Sequence, residues 1–155
     1  MIKRWIHSHV HAQVSIAPLV TFRFLFGLIM FVSIARFYLN GWIEAQYINP
    51  DLHFKYFGFY WIPDLTPIGY YAMFALIALS SLGIAFGALY RISTVVFFLA
   101  FTYMELVDAT YYLNHYYFVS LVGLLLVFLP AHRQHSVDAW SGLTKRSSKV
   151  SAVAI

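Results

Sequence analysis

From Ile68 to Leu89 the chain carries no charged side chain. That is long enough to cross the hydrocarbon core of a bilayer as one helix, for which about 20 residues suffice. In lipid a backbone finds no water to bond, so such a segment must satisfy its own amides, and a helix does this. Three further runs share the character: about Ile16 to Leu39, about Ile92 to Leu113, and a shorter one from Tyr116 to Ala131. Pro18 and Pro130 mark segment ends, where a missing backbone donor is tolerated. Charged residues make up 10% of the 155, against about 25% in an ordinary soluble domain. The sequence therefore predicts an all-α integral membrane protein with about four transmembrane helices, one unit over residues 1–140 followed by a loose basic tail over 141–155.

The connections are unequal. Tyr90-Arg91 and Asn114-His115 predict two tight hairpins, whereas Asn40 to Pro67 is long and rich in Phe, Tyr and Trp. Aromatic residues of that kind suit the membrane–water interface. The first apolar run is too long for a cleavable leader, and Gly41-Trp42-Ile43-Glu44 is a poor cleavage site. Lys3, Arg4, Arg91, Arg133, Lys145, Arg146 and Lys149 fall on one side of a four-span topology and Lys55 on the other. By the positive-inside rule both termini are expected in the cytoplasm, as in a protein of the bacterial inner membrane. The net charge of +4 is too small and too unevenly spread for nucleic-acid binding. There is no cysteine, hence no disulfide framework or thiolate metal site.

Between the last two apolar runs lies a polar, aromatic knot: Glu105, Asp108, Tyr111, Tyr112, Asn114, His115, Tyr116 and Tyr117. Ionisable groups at membrane depth are costly and tend to face protein or a water-filled cavity. On a continuous helix Glu105, Asp108, Tyr112 and His115 share one face, and a carboxylate beside a histidine fixes its tautomer for general base work. Equally, such groups can be interhelical glue that holds a bundle in register. Charge counting places the knot on the periplasmic side, or the lumenal side in a eukaryotic cell.

Arg23 falls inside the first apolar run and needs a partner. Glu105 or Asp108 would serve, or the side chain snorkels to a headgroup, the reading also given to Arg36. His7, His9 and His11 alternate; without nearby carboxylates they read as a solvated interfacial run, and no metal is predicted. His132-Arg133-Gln134-His135 reads as a basic turn at the membrane surface. No phosphate-binding loop, dinucleotide turn, nucleophile elbow or H-E-x-x-H helix is present.

Four strings together resemble one family. They are Phe22-Arg23-Phe24-Leu25-Phe26-Gly27, then Gly87-Ala88-Leu89-Tyr90-Arg91-Ile92-Ser93, then Asp108 with Asn114-His115-Tyr116, and Pro130-Ala131-His132-Arg133 leading to Ser136-Val137-Asp138-Ala139. In order and spacing they are similar to the vitamin K-dependent γ-carboxylases and their bacterial relatives, which share the horizontally transferred transmembrane (HTTM) domain. The likeness covers about Pro18 to Trp140.

The resemblance implies a lyase-type carboxylation of peptide glutamate coupled to epoxidation of a vitamin K hydroquinone or related quinone. It matches His115 to the family's active-site histidine and Asn114 to its neighbour. Asp108 and Arg23 match motif positions of a supportive kind; the expected catalytic site is His115 with Asn114 and Asp108, braced by Arg23, and Glu105 and Tyr112 join as supporting residues from the face argument alone. The family continues past Ser-Val-Asp-Ala into further helices, one of which carries the lysine taken as the base that deprotonates the hydroquinone. Lys145 and Lys149 lie in the wrong context for it. The expectation is a carboxylase-type enzyme or a fragment of one, incomplete without the family's later helices. The alternative is a non-catalytic membrane module that binds a quinone or lipid, or a subunit that pairs with a partner chain supplying the missing helices.

Overall fold

The computed structural model describes residues 13–154, so the His7, His9, His11 run and the charges of Lys3 and Arg4 lie outside the described residues. Three helices are long and apolar enough to cross a membrane: α1 (Ala17–Leu39), α2 (Pro67–Phe86) and α3 (Tyr90–Val107). A fourth, α4 (Asn114–Phe128), has 15 residues. At 1.5 Å per residue it spans about 22 Å, short of the roughly 30 Å of hydrocarbon. A one-turn helix, α5 (Val137–Trp140), and a two-stranded antiparallel ribbon of β1 (Gln13–Ser15) and β2 (Lys149–Ser151) complete the chain. The protein is mostly helical and of membrane type.

Local chemistry sets the boundaries. Pro67 opens α2 behind Thr66, whose hydroxyl accepts from the Gly69 amide at 3.1 Å, a proline-led, side-chain-capped start. Gly87 closes α2 at φ +63°, the left-handed cap that glycine adopts without penalty. The α2–α3 hairpin is thus Gly87–Leu89, and Tyr90 and Arg91, expected in the turn, already belong to α3. Leu129 is extended before Pro130, and this ends α4.

Two expected helix limits need correction. The third apolar run does not stay helical to Leu113: α3 stops at Val107 because Asp108 turns out to φ −142°, ψ 118° and caps the short 3-10 turn Ala109–Tyr111. Correspondingly, Asn114 and His115 are not the hairpin but the first turn of α4. Nor is the basic tail loose. Val150 pairs with Val14, and the Ile16 amide donates to Ser148 O at 3.1 Å, stapling the tail to the start of α1.

α1 crosses α2 where Gly27 faces Ser81 and Ala85. A Cβ there would sit 2.5 Å from Ser81 O and Ala85 N, so glycine lets the two backbones touch, as small residues do between membrane helices. Aromatic stacking fills the layer above, with Phe37 on Phe74 at 5.1 Å and Phe97 on Phe101 at 5.5 Å. One end of the bundle gathers the start of α1, the α2–α3 turn and residues 129–151. The opposite end gathers the 40–66 segment and the α3–α4 connection.

Candidate functional site

The end that holds the 40–66 segment contains an apolar cavity of about 240 Å³ between the helices. Phe37, Phe74, Phe101, Met104 and Tyr47 form its walls, and its polar fittings are Arg36, Glu105, His115 and Tyr116. Each element has a reason to deliver its residue. α1 carries Arg36 in its last turn, where a cation favours the helix C-terminus. Its guanidinium lies 5.4 Å from the Trp42 ring centre, within cation–π range. A π-helical turn, Glu44–Ile48, turns Tyr47 inward, where it is 8% exposed. Burial, reinforced by the charge of Glu105, pushes the Tyr47 phenol well above its ordinary value, so it stays a neutral donor. His115, in the first turn of α4, meets Tyr116 edge-on at 4.5 Å.

Glu105 and Arg36 line the same cavity without pairing: among the described residues the only ion pairs are His53 and Lys55 with Asp64. A half-buried carboxyl with no ion-pair partner within an apolar helix is the feature that intramembrane cost makes informative. On its other side Glu105 borders a larger, almost wholly apolar groove of about 600 Å³ between α3 and α4, bounded by Tyr56, Thr102, Tyr112, Tyr117 and Ser120 among others. The hydroxyls of Thr102 and Ser120 are buried there with no partner among the described residues.

The structure brings together some of the expected residues and separates others. Glu105 and His115 meet at the cavity. Tyr112 lies in the groove next door, and Asn114 is exposed and does not border the cavity. The expected single helical face of Glu105, Asp108, Tyr112 and His115 does not exist, because the helix is interrupted after Val107. Asp108 is 5% exposed and its Oδ1 accepts from Thr110 N at 2.8 Å and Phe54 N at 3.3 Å. With the Ala109 amide donating to Phe54 O at 2.7 Å, this carboxylate is a clamp between the aromatic segment and the α3–α4 connection.

Arg23 is not the partner of Glu105 or Asp108 and does not snorkel. It is 1% exposed at the opposite end of the bundle, where Nη2 donates to His135 O at 2.7 Å. Gly87 leaves the space its guanidinium occupies. Close by, Asp138 accepts from the amides of Leu89 at 2.7 Å and Tyr90 at 2.9 Å, capping α3 from far along the chain. His132, expected at the surface, is 9% exposed and stacks on Tyr90 at 4.9 Å. Burial pushes its imidazole below the usual value, helped by the Arg91 charge.

Sequence reasoning missed Arg36 and Tyr47 as cavity residues, whereas Tyr116 was among the polar knot it singled out. Arg36 had a signal, being the second cation within the first apolar run; Tyr47 had none beyond its place in an aromatic segment. A family model described as the HTTM domain matches residues 11–155. No solved structure matches the chain.

Proposed function

Because the chain belongs to the HTTM-domain family, a domain found in vitamin K-dependent carboxylase-related proteins, we propose that its cavity holds the ring of a quinone-type amphiphile as part of carboxylase-like chemistry. One observation carries this: Glu105, His115 and Arg36 stand unpaired around an aromatic cavity that borders an apolar groove. The cavity is near the lower end of ligand-pocket sizes, which suits a fused aromatic ring with oxygens at its edges and leaves an apolar tail to the groove. The donor set fits, with a carboxyl and an imidazole to exchange protons with ring oxygens and a neutral phenol, Tyr47, to donate.

When bound, a vitamin K-type hydroquinone supplies the reducing equivalents and, with oxygen, the base strength that abstraction of a glutamate γ-proton demands. The chain's own residues bind and orient. Phe37, Phe74 and Phe101 sandwich the ring and exclude water, which strengthens every polar contact inside. His115, at the cavity mouth, is the proposed proton acceptor toward the ring, with Asn114 beside it in the same turn. Arg36, held by Trp42, is suited to a substrate carboxylate, as in a glutamate-containing peptide arriving from the aqueous side. Asp108 supports the site indirectly, through the connection that places His115.

The proposed topology has four crossings, the shortness of α4 being absorbed by local thinning of the bilayer. Both chain ends then face the cytoplasm and His115 the periplasm of a bacterial inner membrane, and residues 141–155 form a cytoplasmic extension of the unit. Among the described residues no lysine borders the cavity. This favours a second reading, a quinone- or lipid-binding subunit whose base comes from a partner chain.

The test is a titration of purified protein with menadione, following thermal stability, and then an assay of quinone-epoxide formation with reduced menadione (the hydroquinone), oxygen, carbon dioxide and a glutamate-containing peptide. Wild-type protein should be stabilised, and His115→Ala should bind about tenfold more weakly, as expected for one lost charge-assisted contact. A quinone that neither binds nor shifts the melting curve refutes the proposal. Binding without epoxide selects the subunit reading.

A further inference from the structure

At the end opposite the cavity, beyond the start of α1, a pocket of about 310 Å³ is bounded by Gln134, His135, Trp140, Arg146, Ser147 and Ser148. Both of its walls are pinned. His135 adopts a left-handed backbone, φ +46°, and its carbonyl is the acceptor for the buried Arg23. A strained non-glycine residue persists only where its surroundings over-determine it, and such residues cluster at ligand sites. On the facing wall Arg146 Nε donates to Ala139 O at 2.9 Å, and the Ser147 amide donates to Arg133 O at 3.1 Å. Arg146 is thereby held by one nitrogen, while its two terminal nitrogens are claimed by no described residue.

The surrounding charge is of one sign. Arg91, Arg133, Lys145 and Lys149 lie at the same end. The sole carboxylate there among the described residues, Asp138, is buried with both oxygens committed to α3 amides. Beside the pocket the rim turns apolar: Trp140 is 69% and Leu143 68% exposed. A tryptophan next to cations at the end of a membrane bundle marks headgroup depth. A free ion has no use for that apolar rim, whereas a phospholipid does.

We propose that this pocket binds the phosphate of an anionic phospholipid, of the phosphatidylglycerol class. The free edge of Arg146 makes the two-pronged contact that guanidinium offers phosphate. Gln134 and Ser148 supply neutral donors, and the acyl chains leave past Trp140 and Leu143. The buried Arg23 takes part at one remove, by holding His135 in the conformation that shapes the wall. None of this depends on the quinone reading of the opposite end.

The full chain in nanodiscs of phosphatidylcholine, with or without phosphatidylglycerol, tests it. Native mass spectrometry should find one phosphatidylglycerol retained per chain, and a lipid titration gives its affinity. Arg146→Gln and the isosteric Gln134→Glu, which places a negative charge in the pocket, should each weaken retention about tenfold. Lys145→Gln, on the same face but outside the pocket, should leave it unchanged. Should Arg146→Gln fail to fold, Gln134→Glu decides the matter by itself. Equal losses in the Arg146 and Lys145 variants would mean diffuse attraction and overturn the proposal. So would equal retention of phosphatidylcholine, or stabilisation by inorganic phosphate in phosphatidylcholine discs matching that by the lipid.

Discussion

The two ends of this bundle use polar groups in opposite ways. Around Arg23 and Asp138, both buried, charge is spent on backbone: the carboxylate caps two amides of α3 and the guanidinium anchors the His135 carbonyl. Around the half-buried Glu105 and the exposed Arg36 and His115, charge borders a cavity and forms no ion pair among the described residues. One set of polar groups is thus committed internally, and the other is left open to a ligand. Asp108 shows that position alone does not decide. It lies at the cavity end yet behaves like Asp138, its oxygen taken by loop amides.

The largest test of this contrast is Asp138→Ala. It strands the Leu89 and Tyr90 amides and leaves the buried Arg23 without its nearby negative charge, a loss of about 3 kcal/mol expected from such mechanisms. Thermal unfolding in detergent measures it; a change below 1 kcal/mol would show that the Arg23 end is not held together this way. Asp108→Ala should cost about 1–2 kcal/mol, the range for a lost side-chain cap. Asp108→Asn, which keeps the acceptor oxygen, should cost little and leave quinone binding near wild type. An Asn variant that is stable but fails to bind would return Asp108 to the site.

A pH series separates the ends next. The folded-state value of His132 is lowered, so the unfolded chain holds more protons below the ordinary histidine value near 6.5. Stability should therefore be full above about pH 6.5 and fall as the pH drops below it, and His132→Gln should flatten that fall in melting curves from pH 5 to 8. Smallest of all should be the stability effect of Glu105→Gln or His115→Ala. With no internal partner to lose, each should stay within about 0.5 kcal/mol of wild type. A destabilisation of 2 kcal/mol in either would recast Glu105 and His115 as interhelical glue.

Much of this was legible in the sequence, because an apolar run in lipid has one solution. The charge-free stretch located α2 to within one residue at its start and three at its end, the expected Leu89 limit overrunning the Gly87 cap that closes the helix at Phe86. What failed was continuity. From Glu105 to His115 the spacing fits one helical face, and only the competition of Asp108 for the Phe54 and Thr110 amides shows why the helix stops at Val107. Arg23 was recognisable as a buried charge, but its partner is a backbone carbonyl in residues 130–136, and carbonyls carry no sequence signal. Arg36 and Tyr47 reach the cavity through a helix end and a π-helical turn, neither of which periodicity reveals.

The β1–β2 ribbon has a consequence for how the protein is made. Ser15 finds its partner only once Lys149 has been synthesised, which at cellular elongation rates takes on the order of ten seconds. Throughout that interval the first helix waits in the membrane with its entry strand unpaired. The ribbon therefore acts as a late latch, closing only after every helix between its strands has been synthesised.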